Sequence, residues 1–242
     1  MTPALKASAV ALEDRLAPTD LQIGEGQLVA LIGPNGSGKT SLLRALADVE
    51  RTSGQVCIAG EELSAAAPGR RPQLATYLPA SRELNWPISA RDVIALGLPR
   101  PDRRRVDHVV ELLELGALAN RPVDRLSTGE RARVLFARAL APEPKVLLLD
   151  EPLSNLDPYW ALRLLQILRE EVSRGTSALV ALHDIDRVTA FDRVLLIDSG
   201  TSRADLSPNE MLCSSDLADA FRIEPGPSGW LIRRSADPRS SR

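Results

Sequence analysis

The chain has 242 residues, of which 44% are hydrophobic and 26% charged, with a formal net charge of −2. That length suits one large domain or a core with a subdomain, and the apolar share can fill a sizeable interior. The balanced charge argues against broad binding to nucleic acid or anionic lipid, and it leaves Arg70–Arg71 and Arg103–Arg105 as solvated faces.

At the N-terminus, "MTPALKASAVALEDRL" meets Glu13 and Asp14 before a signal-peptide core can develop. "QLVALIGP" reads as a short, nearly continuous apolar strand, the pattern of a parallel sheet covered on both faces. "KTSLLRALADV" follows with helical spacing, then "GQVCIAGEEL" and "ATYLPA" as strands. From Ser89 to Leu140 helices dominate: "SARDVIALG", then "RRRVDHVVELLELGA" with Val106, Val109, Val110 and Leu113 at i, i+3, i+4 and i+7. "KVLLLDEP" returns to buried strand, and "DPYWALRLLQILREEV" is a helix with Asp157 as N-cap and Pro158 in its first turn. "SALVALHD" and "DRVLLIDSG" are strands, and from about Ser207 a short helix pair leads to a last strand, "GWLIRR". Strands alternating with helices indicate an α/β fold.

No apolar run reaches the ~18 residues of a membrane span. Cys57 and Cys213 match no disulfide or metal spacing, and two histidines, His108 and His183, are too few for a histidine-built metal site. The expected protein is soluble and intracellular, reaching any membrane through a partner.

Three stretches carry chemistry. "GPNGSGKTS", residues Gly33, Pro34, Asn35, Gly36, Ser37, Gly38, Lys39, Thr40 and Ser41, fits G-x-x-x-x-G-K-[ST] between a strand and a helix. Its glycines let backbone N–H groups curl around phosphate, Lys39 reaches the β- and γ-phosphates, and the Thr40 hydroxyl holds Mg²⁺. The chain has only three lysines, Lys6, Lys39 and Lys145, and one occupies this slot. In "VLLLDE", Asp150 ends a strand where it can contact Mg²⁺ directly or through water, and Glu151 is placed to orient and deprotonate the attacking water. No N-K-x-D occurs, which favours ATP over GTP.

The third stretch is "LSTGE", residues Leu126, Ser127, Thr128, Gly129 and Glu130. Ser127 and Glu130 form a capping box, which needs no glycine, yet Gly129 costs ~1 kcal/mol against alanine in a helix. A glycine beside free N–H groups and a hydroxyl is an anion site. Two phosphate-binding helix starts but one lysine loop point to a two-fold dimer, in which each copy finishes its partner's nucleotide pocket.

The phosphate loop, "LSTGE", "LLLDEP", "SNLD" and "LHD", in this order, resemble the nucleotide-binding subunit of an ATP-binding cassette (ABC) transporter over nearly the whole chain. The resemblance implies a P-loop NTPase (RecA-like) core of ABC ATPase type from residues 1–79 and 142–242, a helical subdomain at 80–141, and a C-terminal helix-and-strand extension at 207–242. It implies that Leu126–Glu130 is the signature acting in trans, with Thr128 and Glu130 where glycine and glutamine are commoner. Asp157 then lies in the loop linking the two sites, and His183 contacts the γ-phosphate. Two positions depart from the family. Ala80 replaces the glutamine that touches Mg²⁺ and the attacking water, with Glu83 as a substitute, and the place of the adenine-stacking aromatic, near Val10, is aliphatic.

"WPISARDVIALG" and "EMLCSSDLADAFRI" resemble bacterial importer ATPases for iron–siderophore complexes, haem and cobalamin, with a metal-ion importer ATPase as the nearest rival. The implied cofactors are ATP and Mg²⁺. The implied partners are a second copy, permease subunits docking near Trp86 and Pro87, and indirectly a periplasmic or lipoprotein solute-binding protein. The implied place is the cytoplasmic face of the inner membrane. A soluble ABC ATPase acting on nucleic acid or ribosomes would carry coiled-coil insertions, a second cassette or basic extensions, and the sequence has none.

Overall fold

The computed structural model describes residues 2–84, 86–226 and 229–233. Its elements run β1 (Leu5–Leu12), β2 (Leu16–Ile23), β3 (Leu28–Ile32), α1 (Lys39–Leu46), β4 (Ser53–Ile58), β5 (Glu61–Glu62), α2 (Arg71–Leu74) and β6 (Ala75–Leu78). Three helices follow, α3 (Ala90–Ala95), α4 (Arg103–Leu112) and α5 (Thr128–Leu140). The chain returns through β7 (Val146–Asp150), α6 (Pro158–Ser173), β8 (Ser177–Ala181), β9 (Arg193–Asp198) and β10 (Thr201–Leu206). It ends with α7 (Pro208–Leu212), α8 (Ser215–Phe221), β11 (Ile223–Gly226) and β12 (Gly229–Ile232). The strand read from "GWLIRR" is β12, and Arg234 lies outside the described residues.

A six-stranded sheet, in the order β10-β9-β3-β8-β7-β6, organises the molecule. Its inner strands are parallel, and β10 adds antiparallel to β9. Every residue of β3, β7 and β8 is buried, as their unbroken apolar runs require when helices cover both faces. The register lines up Leu31, Ala181 and Asp150 in one row across β3, β8 and β7. The residues that follow in each strand therefore emerge along one carboxyl-terminal rim, the place where open α/β sheets bind ligands.

A four-stranded antiparallel sheet, β2-β1-β4-β5, lies beside this core; the strand read from "GQVCIAGEEL" supplies β4 and β5, while β1 and β2 are not evident in the sequence patterns. Its first strand carries an irregularity between Ala7 and Val10, with Ala9 at φ 48°, so two outward residues, Ser8 and Ala9, separate inward ones. This bulge breaks the period-two alternation that marks a half-buried strand. Pro18 is tolerated because β2 is an edge strand.

The helices α3, α4 and α5 pack on one another, and their apolar faces run without a break into the core of the main sheet. In α4 the inward stripe of Val106, Val109, Val110 and Leu113 is buried as its spacing predicts. The helix is shorter than "RRRVDHVVELLELGA" suggests: Leu113 is its C-cap and Glu114 turns left-handed at φ 51°, which ends the run. Asp157 caps α6 by accepting from the Trp160 N–H at 2.9 Å, and Pro158 opens the first turn. Both cysteines are free thiols. Among the described residues no helix is long and apolar enough to cross a membrane.

Candidate active site

The loop between β3 and α1 shapes one end of a cleft of about 820 Å³. At Gly33 an added Cβ would collide with the carbonyl of Ile197, so the turn out of β3 requires glycine. Gly38, at φ 106°, is the N-cap of α1 and offers no side-chain cap, which leaves the first N–H groups of the helix free for an anion. The turn is pinned from behind, because the Gly200 N–H donates to the Ser37 carbonyl at 2.8 Å and the Ala17 N–H donates to the Gly200 carbonyl at 2.8 Å.

Lys39 is only 6% exposed, and its Nζ donates to the carbonyls of Gly33 at 2.8 Å and Pro34 at 3.1 Å. Burial pulls its pKa down, while Glu151 and Asp150 pull the other way. The ammonium is thus held at the loop with loop carbonyls as its hydrogen-bond partners, in a place where a phosphate would supply the missing negative charge.

Asp150 lies at the end of β7, buried, and takes the Thr40 hydroxyl on Oδ2 at 2.8 Å and the Tyr77 hydroxyl at 3.4 Å. Burial raises its pKa, opposed by the hydrogen bond from Thr40. Burial, with Asp150 alongside, pushes the Tyr77 phenol up to about 12, which keeps it a donor. Asp150 Oδ1 is buried with no hydrogen-bond partner. An orphaned carboxylate oxygen beside a threonine hydroxyl fits a hard divalent cation or its water shell. Among the described residues no group of three or more His, Cys, Asp or Glu side chains is placed to hold a metal ion.

Glu151 follows at φ 51°, in the left-handed region that side-chain-bearing residues seldom adopt. Its Oε1 lies 2.5 Å from Nε2 of His183, two residues beyond β8. Asn35, Gly36, Ser37, Gly38, Lys39, Thr40, Ser41, Glu151 and His183 all line the one cleft, and Asp150 reaches it through Thr40. Motifs that start about 110 and 140 residues after the phosphate loop meet there because β3, β8 and β7 are neighbours.

The "LSTGE" stretch, expected to be the signature, lies elsewhere. None of Leu126–Glu130 lines the cleft. Leu126 is buried, and Ser127 caps α5, its Oγ accepting from the Glu130 N–H at 3.2 Å while the Glu130 carboxylate accepts from the Ser127 N–H at 2.7 Å. A Cβ added at Gly129 would make only ordinary contacts, 3.8 Å from the Asn155 carbonyl and from Leu156. Among the described residues nothing demands glycine there. The same contacts bring the loop from Glu151 to Asp157 against the start of α5, so one short segment joins the cleft to the "LSTGE" stretch.

Two sequence expectations change. Val10 is fully buried because the bulge at Ala9 turns it into the core, so it cannot meet a base. Leu12, Arg15, Leu16 and Ala17 wall the cleft instead, with Arg15 paired to Glu50 at 2.6 Å. Glu83 is exposed and lines a separate groove, not the cleft that holds Lys39. Arg82 of the same loop turns inward and is 6% exposed. Burial lowers its pKa against the pull of Asp150 and Glu151. No local pattern in the sequence marks Tyr77, Arg82 or Gly200 as neighbours of the site.

A glycine-lined loop, a buried lysine and a strand-end acid pair on a parallel sheet define a P-loop nucleotide-binding protein. The family model described as ABC transporter matches residues 16–154. A hemin import ATP-binding protein HmuV from Rhodopseudomonas palustris (strain BisB5) is 35% identical, the match covering 93% of this chain and 92% of that protein. Another, from Pseudomonas entomophila (strain L48), is 36% identical over 86% and 87%. Among solved structures, an ATP-binding cassette seen as a dimer in a post-hydrolysis state with ADP and Pi superposes with a TM-score of 0.75 at 24% identity, covering 84% of this chain and 98% of that one. A nucleotide-free cassette from an ABC transporter gives 0.78 at 19% identity, covering 90% and 98%. The chain belongs to the ABC transporter family, as its ATP-hydrolysing subunit.

Proposed function

We propose that the chain powers a bacterial importer, with two copies closing head-to-tail around two ATP molecules to drive a membrane permease. The observation that carries this reading is the separation of Ser127 and Gly129 from a cleft that already gathers Lys39, Thr40, Glu151 and His183. The phosphate loop and Lys39 bind the triphosphate, and Leu12 and Arg15 offer the wall for the base. Glu151 takes the proton of the attacking water, and His183 holds its carboxylate and faces the γ-phosphate. Thr40 and Asp150 hold Mg²⁺, which when bound offsets charge on the phosphates. The partner copy's signature helix adds free N–H groups and a hydroxyl, and Asp157 anchors the loop between the two sites.

The core is assigned to residues 1–79 and 142–242, with 207–242 as its extension, and the helical subdomain to 80–141. A groove of about 430 Å³, lined by Leu78, Pro79, Leu84, Leu96 and Leu135, lies between β6 and the helices and suits a cytoplasmic helix of a permease. Trp86 is 66% exposed on the same loop, available as an anchor and not packed within the subdomain. The HmuV relatives favour haem among the iron–siderophore, haem and cobalamin cargoes, delivered to the permease by a periplasmic or lipoprotein solute-binding protein while this chain sits on the permease at the cytoplasmic face of the inner membrane.

Gly129→Ala tests the shared site. Alanine fits without a clash and is the better helix former by ~1 kcal/mol, so the melting temperature should hold or rise. The methyl group would meet the partner's phosphate, so MgATP-driven dimerisation and hydrolysis should both fall. Unchanged hydrolysis in this variant would remove the signature from the active site.

A further inference from the structure

The loop that leaves β6 is tied to the catalytic acid by one buried side chain. Pro79, Ala80, Ser81 and Glu83 are exposed, yet Arg82 among them is 6% exposed. Its guanidinium spans two elements: Nη1 donates to the Pro79 carbonyl, just past β6, and Nη2 donates to the Glu151 carbonyl at 2.9 Å, just past β7. Among the described residues of this loop, no other side chain hydrogen-bonds to the segment that carries Glu151.

Burying a guanidinium costs free energy unless its donors are used, and here Nε has no partner. A loop that merely had to cross the surface would leave this arginine in water. The Glu151 carbonyl also accepts from the Ser154 N–H at 3.2 Å and the Ser154 hydroxyl at 2.8 Å. Three donors therefore converge on the carbonyl of a residue held at a left-handed φ of 51°. A strained backbone persists only where its surroundings fix it, and Arg82 is the tether that comes from outside the local turn. With a methyl group at Ala80 that cannot ligate a metal, this tether is the loop's link to the segment that carries Glu151.

We propose that Arg82 is a positioning residue, which fixes the Glu151 backbone and so aims its carboxylate at His183 and the attacking water. The proposal rests on Glu151 being the general base. Lysine has one ammonium and cannot bridge the two carbonyls with the same planar fork.

The test compares the full-length wild type with Arg82→Ala, Arg82→Lys and Glu151→Gln in MgATP hydrolysis, with melting temperatures alongside. A misplaced base lowers turnover and leaves ground-state binding alone. Arg82→Ala should therefore lose between about ten- and a hundred-fold in kcat with KM for ATP unchanged. Arg82→Lys should fall between it and the wild type. Guanidinium ion, added below denaturing concentration, should restore part of the rate to Arg82→Ala and none to Glu151→Gln. A wild-type kcat in Arg82→Ala, or a raised KM with kcat intact, overturns the proposal while an inactive Glu151→Gln keeps the base assignment standing. If Glu151→Gln itself hydrolyses normally, the base assignment falls instead. Should Arg82→Ala fail to fold, Arg82→Lys decides: reduced kcat at unchanged KM supports the tether, and wild-type kcat overturns it.

Discussion

Glu151→Gln lowers the turnover of MgATP hydrolysis by about two to four orders of magnitude, the usual contribution of a positioned general base, and leaves ATP binding intact. The change is isosteric, so the fold around the left-handed turn is kept: the hydrogen bonds from Arg82 and Ser154 go to the main-chain carbonyl, which the substitution does not touch. What is lost is the proton acceptor that His183 faces at 2.5 Å. Turnover under saturating MgATP, with nucleotide affinity measured separately, checks both halves. Wild-type turnover would mean that another group takes the proton.

Lys39→Met abolishes tight nucleotide binding without weakening the fold. Charge-assisted hydrogen bonds contribute about 1.5–3 kcal/mol each, so losing two to the phosphates weakens ATP binding by roughly a hundred-fold or more. Stability moves the other way. Burial lowers the lysine's pKa in the folded state, so the charged form costs the empty protein free energy at every pH below that value, and the cost disappears only as the lysine deprotonates. An uncharged side chain of similar length removes that cost, although it leaves the Gly33 and Pro34 carbonyls one donor short. The expected melting temperature without nucleotide is equal to or above that of the wild type, and the rise that ATP gives the wild type is absent. Calorimetry with and without nucleotide reads both, and a retained ATP-induced shift would contradict the role of Lys39.

The parts of this protein that can be read from its sequence are those where local chemistry and tertiary role coincide. The apolar runs of β3, β7 and β8 are long enough to need burial on both faces, and the polar residues that come soon after each one fall at the rim of the sheet. The caps at Ser127 and Asp157 are satisfied within three residues, so their sequence pattern is sufficient. Where the reading failed, long-range structure intervened. The β1–β2 hairpin hides behind a bulge at Ala9, and the same bulge moves Val10 from the expected base-binding face into the core. Arg82 looks like a surface charge in a polar loop, and its partner is 69 residues away. Gly129 is the opposite case: its oddity is visible in the sequence, and among the described residues an added Cβ there would meet only ordinary contacts.

In the proposed dimer each copy holds half of each site. Sedimentation of the Glu151→Gln protein with and without saturating MgATP measures this directly, because blocked hydrolysis preserves the closed state. The expected result is a monomer alone and a dimer with MgATP, the dimer being lost again when Gly129→Ala is added. A protein that binds MgATP and stays monomeric at high concentration would contradict the account.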